Sequence, residues 1–270
     1  MSPSLFVFIA LPCEAKPLIQ NWGLKKLQGT HPFAIFADRE RVVVVTGIGK
    51  VLMAGAVGYT LSLFPDRRHP LLLNLGIAGH RENSLGSLYL AEKILNKDTG
   101  KNFYPQLPFH SPVKTAMVAT LATPQSSYDE DCLYDMEAAA FYEMACKFSS
   151  NELIHCLKIV SDNTQSPLEN INENVVETWI SEQMNPIADL IALLSSMRGR
   201  LPQIDYTLYQ EMITKFHFTA SNSDKLKNLL QRQQLLSPDL EPKWRDAECR
   251  SGKELLVWLE KQLEETCFYL

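Results

Sequence analysis

Three carboxylates sit where core elements of this chain should begin or end. Glu14 follows the apolar run "SLFVFIALPC", Glu137 lies in "YDMEAAAFYEMACKF", and Asp162 closes "KIVSDN". A buried carboxylate at such a position can serve as general acid, general base or hydroxyl acceptor, with burial setting its pKa. Each also has a plain structural reading. An acid entering a helix complements the dipole, and an Asp after a strand often makes an Asx-turn or N-cap. Two glycine-bearing stretches lie between them. "TGIGKVLMAGAVGYTL" (46–61) follows a strand and opens a helix, so its free N–H groups can face an anion. It is neither GxGxxG nor a Walker loop, and a tight strand–helix turn explains it equally well. "NLGIAGH" (74–80) follows an apolar strand, and Gly76 and Gly79 allow close approach of a ligand at the strand's carboxyl end.

The elements that must position these residues alternate in type. Strand-like apolar runs cover 5–11, 33–37, 42–46, 71–75, 87–91, 116–121 and 153–160, with helical patterns over 14–22, 51–64, 136–148 and 171–197. Such alternation predicts an α/β domain with helices on both faces of a sheet. "ADRER" (37–41) reads as a turn between antiparallel strands, so the sheet should be mixed. Past "RGRLPQID" (198–205) no convincing strand follows. "SNSDKLKNLLQRQQLL" aligns Leu226, Leu229 and Leu230, and "SGKELLVWLEKQLEE" has capping-box spacing from Ser251 to Glu254. The expected boundaries are therefore an α/β domain over 1–199 and a helical C-terminal extension over 200–270, too short and polar for a large core.

Composition narrows the function class. The 270 residues are 46% hydrophobic and 21% charged with net charge −5, and the basic residues are scattered, which argues against a nucleic-acid face or a polybasic membrane surface. The six cysteines form no CxxC pair and the six histidines no HExxH grouping, so neither a metal nor a disulfide framework is expected. No Lys or Arg precedes the first apolar run and Pro12 stands where a small residue should precede cleavage. A buried first strand in a cytoplasmic protein is the expectation.

In their order the motifs resemble the nucleoside phosphorylase superfamily, and specifically its nucleosidase branch typified by 5′-methylthioadenosine/S-adenosylhomocysteine nucleosidase. "ALPCEA" is similar to the family's first-strand acidic motif, "TGIGKVLMAGA" to its GxGKxxAA segment and "NLGIAGH" to its NxGxAG loop. "GSLYLAEKI" resembles the following strand, "DMEAAAFYEMAC" the MExxA helix and "KIVSDN" the terminal SD motif. The resemblance spans about residues 4–195. It implies a three-layer phosphorylase-like fold with a mixed central sheet flanked by helices, with the C-terminal appendage outside it.

The resemblance also implies roles. Glu137 would accept hydrogen bonds from the ribose 2′- and 3′-hydroxyls with Met136 packing the sugar, while Asp135 beside it caps the helix. Asp162, oriented by Ser161, would protonate purine N7, and Glu14 would activate the water that attacks the anomeric carbon, as in an inverting glycosidase. Ile77, Ala78 and Gly79 would line the pocket, Phe103 and Tyr104 would close it near a homodimer contact, and Lys158 stands where the family carries Arg. The segment ahead of the ME motif, "TPQSSYDEDCLYDME", is short and lacks the family's usual purine-contacting loop. The implied activity is hydrolysis of a purine nucleoside or 5′-substituted derivative, without organic cofactor or metal. A phosphorylase is the alternative. It needs a cationic cradle that "TGIGK" and "NLGIAGH" lack, although Lys50, Arg81 and Lys158 could partly substitute. A catalytically inactive nucleoside-binding protein is the third reading.

Overall fold

Continuous Val/Ile/Leu runs become parallel strands at the centre of a mixed sheet. The computed structural model describes residues 3–64, 69–125, 127–167, 171–200, 207–236 and 243–267. They divide into two compact units, Met1–Gly199 and Arg200–Leu270.

In the first unit β1 (Leu5–Ile9), β4 (Arg41–Val45), β5 (Leu71–Gly79) and β10 (Ile154–Asp162) pair in parallel in the order β4–β1–β5–β10. β5 and β10 are buried along nearly their whole length, so they lack the apolar–polar alternation of a strand with one face in water. β3 (Ala34–Ala37) pairs antiparallel with β4 and with β2 (Lys25–Lys26). The turn into β4 is held by Asp38, whose Oδ1 accepts from the N–H groups of Glu40 and Arg41 at 2.8 and 2.7 Å.

The other edge of β5 curls into a ring. β10 pairs antiparallel with β6 (Leu88–Asn96), β6 parallel with β8 (Lys114–Thr120), and β8 parallel with β9 (Leu133–Asp135). β9 then returns antiparallel to β5, while β7 (Asn102–Phe103) extends β6. The register places Thr120 beside Asp135, Tyr134 beside Gly79, and Gly79 beside Asp162 across an irregularity in β10. Four strand ends thus meet at one spot.

Helices α1 (Pro12–Trp22) and α4 (Glu173–Glu182) pack on each other, as do α2 (Lys50–Leu63) and α3 (Ala138–Ala145). Met53, Ala56 and Val57 of α2 and Phe141 and Tyr142 of α3 share one apolar cluster with Phe6, Phe8, Val42 and Val44. Two expected helices differ. The pattern over 136–148 starts its helix only at Ala138, because Leu133–Asp135 pair as β9 and hold the preceding residues extended. The pattern over 171–197 splits at Gln183 into α4 and α5 (Met184–Arg200). Pro186 has no N–H for the carbonyl of Glu182, four residues back, where α4 ends.

The second unit holds α6 (Thr207–Lys215), α7 (Ala220–Leu236) and α8 (Gly252–Cys267), with no strand among its described residues. Short as it is, it has its own cluster, in which Met212, Leu226 and Trp244 pack with Leu255, Leu259 and Leu263. Ser251 Oγ accepts from the Glu254 N–H at 3.2 Å, and the Glu254 carboxylate accepts from the N–H of Arg250 at 2.9 Å.

Candidate active site

The converging strand ends and the entry of α1 border a cavity of about 180 Å³, of the order of the ~150 Å³ that admits a benzene ring. Glu14, Glu137 and Asp162 all line it, together with Ile77, Ala78, Gly79, Met136 and Ser161.

Glu14 reaches the cavity from the first turn of α1. Its Oε2 accepts from the Leu11 N–H at 2.7 Å, back at the N-cap of the helix, and its Oε1 accepts from the Ile77 N–H at 2.8 Å. Gly76 leaves room for the second contact, since a Cβ there would press on Oε1 at 3.1 Å. The carboxyl is 1% exposed. Burial drives its pKa up to about 7 against the opposing pull of the two N–H groups and Lys158.

Glu137 is the N-cap residue of α3. Its Oε1 accepts from the Gly49 N–H at 2.6 Å, at a residue whose φ of 99° favours glycine. Burial raises its pKa, opposed by the Lys158 ammonium and reinforced by the Asp135 carboxylate. Asp135 does cap the helix, accepting from Ala138 N–H at 2.7 Å and Glu137 N–H at 3.2 Å, with Thr120 Oγ1 donating to it at 2.6 Å. It has a further role, because its Oδ2 lies 2.8 Å from Lys158 Nζ.

Asp162 ends β10. Ser161 Oγ donates to its Oδ1 at 2.5 Å and the Tyr128 hydroxyl donates to its Oδ2. Burial lifts its pKa to about 6.

The cavity is lined without Lys158, Phe103 and Tyr104. Lys158 is buried, and although burial opposes the charged form, Asp135 and then Glu137 raise its pKa above the usual lysine value and hold it charged. Phe103 packs on Tyr142, and Tyr104 is exposed. Ala10, Leu11, Ile48, Tyr134 and Asp135 complete the lining from within the motifs, whereas Leu121, Thr123, Pro124, Gln125 and Tyr128 come from the stretch before the DME residues and were signalled by none. That stretch has no periodicity to reveal it.

His80 turns the chain at the end of β5. Its Nδ1 accepts from the N–H groups of Glu82 and Asn83, which leaves Nε2 to donate to Asp131. Among the described residues no cluster of His, Cys, Asp and Glu is arranged to hold a metal ion.

No protein-family model matches the chain, and no curated protein does. Solved structures do. An MTA/SAH nucleosidase matches with a TM-score of 0.57 at 19% identity, covering 71% of this chain and 97% of its own. The Arabidopsis thaliana 5′-methylthioadenosine nucleosidase matches at 0.56 and 18%, covering 72% and 97%. Futalosine hydrolase of Helicobacter pylori matches at 0.54 and 14%, covering 71% and 99%. This chain has a nucleoside phosphorylase/nucleosidase-like fold. Almost the whole of each nucleosidase is matched by less than three quarters of this chain, a share that the first unit is long enough to supply.

Proposed function

We propose that residues 1–199 form a three-layer nucleosidase domain that hydrolyses the N-glycosidic bond of a purine nucleoside or a 5′-substituted derivative such as methylthioadenosine. The observation that carries this reading is the convergence of Glu14, Glu137 and Asp162 on one cavity from three separate elements. Glu137 keeps a carboxylate oxygen for the ribose cis-diol while Gly49 fixes the other. Protonated Asp162 gives its proton to N7 as the C–N electron pair leaves with the base. Glu14 takes a proton from water, whose oxygen then bonds to the anomeric carbon. The products are free base and the ribose derivative.

The site's charge favours water over phosphate as nucleophile. Lys50 is engaged by Asp98, Lys158 by Asp135 and Arg81 by Glu82, so the three cations that could have contributed to a phosphate cradle each pair with a carboxylate. Glu14 would also repel an incoming anion.

The same reading places the enzyme in the cytoplasm as a homodimer, with 200–270 as a helical extension. The five cysteines with described side chains are free, as suits a reducing compartment. Ile48, Val51 and Leu52 are exposed apolar residues at the start of α2, and Ile48 lies on the cavity wall, so a second copy covering them would also close the site.

The test is incubation with adenosine, inosine and methylthioadenosine, with and without phosphate, followed by assay of free base. Phosphate-independent release supports the proposal. Strict phosphate dependence with a ribose-1-phosphate product moves the assignment to a phosphorylase, and no release from any of them removes it.

A further inference from the structure

Asp162 has two oxygens, and both already hold a hydroxyl. Ser161, its neighbour on β10, takes Oδ1, and Tyr128 takes Oδ2 from across the cavity. Ser161 belongs to the same strand as the acid, so Oδ2 is the oxygen left to face a ligand. Tyr128 comes from the irregular stretch between β8 and β9, and it lines the cavity beside Asp162.

The contact is built rather than incidental. Position 79 is glycine, and a Cβ there would collide with the Tyr128 hydroxyl and stand 2.7 Å from Asp162 Oδ2. The Tyr128 ring lies against Tyr134, with centroids 5.3 Å apart, and Tyr134 is itself fixed by accepting from the Glu130 N–H at 3.0 Å. Both Tyr128 and Asp162 are buried, so a donor on Oδ2 keeps a carboxylate shut off from water satisfied. By contrast residues 127–129 make no backbone hydrogen bond among the described residues, so the backbone adds nothing to hold the phenol in place.

We propose that Tyr128 is the residue against which a purine competes for Asp162: its phenol holds the place of the base's N7 edge and leaves Oδ2 when the base arrives. The proposal rests on the nucleosidase reading above. Its chemistry reverses one hydrogen bond: the phenol donates to Asp162 Oδ2, whereas N7 offers only a lone pair and accepts from the protonated acid, so the base replaces the phenol when Asp162 carries the proton. An apolar ligand could not make that exchange, since it would leave Oδ2 buried without a partner while Ser161 held only Oδ1. Every base that binds must give up one existing hydrogen bond to gain its own. The apparent affinity is therefore reduced by the fraction of molecules in which Oδ2 is open.

The deciding comparison is wild type against Tyr128→Phe, which removes one oxygen and keeps the ring. Calorimetric titration with adenine and hypoxanthine should show the variant binding the preferred base about tenfold tighter, the weight of one hydrogen bond worth ~1.4 kcal/mol. A Tyr128 that only filled space or oriented Asp162 would leave affinity equal or lower, and that result overturns the proposal. Hydrolysis measured alongside separates the two levels of inference. Wild type that releases base, with no affinity gain in Tyr128→Phe, sinks the role of Tyr128 alone. Wild type that neither binds a base nor hydrolyses any nucleoside sinks both readings. If Tyr128→Phe does not fold, a crystal structure of the wild type with adenine decides. N7 on Asp162 with the phenol withdrawn supports the proposal, and a phenol still on Oδ2 overturns it.

Discussion

Lys158 Nζ lies 2.8 Å from Asp135 Oδ2, and both side chains are closed to solvent. The two residues come from β10 and β9, which do not pair with each other but both pair with β5. Asp135 lines the cavity together with three further carboxyl groups, those of Glu14, Glu137 and Asp162, whereas Lys158 does not. This lysine is the cation whose charge opposes the rise in pKa of both Glu14 and Glu137.

Lys158→Met should therefore be strongly destabilising. Removing one partner of a buried pair leaves the other charge uncompensated, which typically costs about 3–5 kcal/mol. Urea unfolding of the two proteins checks this. Lys158→Arg keeps the charge and should cost clearly less, so equal losses for Met and Arg would show that volume, not charge, decides.

The pH dependence of activity follows from which form of each acid reacts. Glu14 must be ionised and titrates near 7, while Asp162 must be protonated and titrates near 6. The base thus ionises only above the pH at which the acid has begun to lose its proton. Both conditions hold together only in a minority of molecules, and that fraction peaks between the two values. The profile of kcat/KM should be a bell with its maximum at about pH 6.5. A plateau persisting above pH 8 would exclude Asp162 as the proton donor.

Stability should show the opposite trend from that of an ordinary salt-bridged acid. Glu14 has its pKa raised on folding from 4.5 to about 7. Between those values the folded protein holds a proton that the unfolded chain has released. Its contribution is fully present below pH 4.5 and lost as pH rises through about 7, a change on the order of 3 kcal/mol. Glu14→Gln cannot titrate, so its stability should fall less than that of wild type between pH 5 and 7.5. Parallel curves from denaturant titrations would contradict the burial of this group.

The three acids should separate kinetically. Asp162→Asn cannot donate a carboxylic proton, and base release should drop ~10²–10⁴-fold. Glu14→Gln should lose turnover while keeping affinity for the nucleoside by calorimetry. Glu137→Gln should lose affinity, because an amide has one oxygen and cannot accept from both the Gly49 N–H and the ribose hydroxyls. Near-wild-type hydrolysis by Glu14→Gln would leave the mechanism without its base.

A chain ending at Gly199 should fold and retain hydrolysis, since all residues lining the cavity precede it. Circular dichroism and the substrate assay on residues 1–199 check this. A well-folded truncation without activity would show that the second unit helps build the site.

Much of the first unit was legible because buried parallel strands leave an unmistakable trace. "LFVFI", "RVVVV" and "LLLNL" have little choice of environment, and the acids at their ends inherit a place from them. The two-residue strands β2 and β7 left no trace, since pairing of "KK" and "NF" depends on the neighbouring strand rather than on their own apolarity. The same holds within the site. Glu14, Glu137 and Asp162 sit at element ends where local pattern speaks. Tyr128 and the Asp135–Lys158 pair depend on contacts across more than 20 residues of sequence, and neither carries a local signal.

Glu14 has one oxygen on the entry of α1 and the other on β5. The proposed base is thus also a strut joining two parts of the scaffold. An evolving lineage that no longer needed the reaction would still be held to glutamate at position 14 by its folding. Asp162 meets only two side-chain hydroxyls through its carboxyl, so it would be freer to drift. Among descendants of this chain, loss of the aspartate rather than of the glutamate would be the mark of a silenced enzyme.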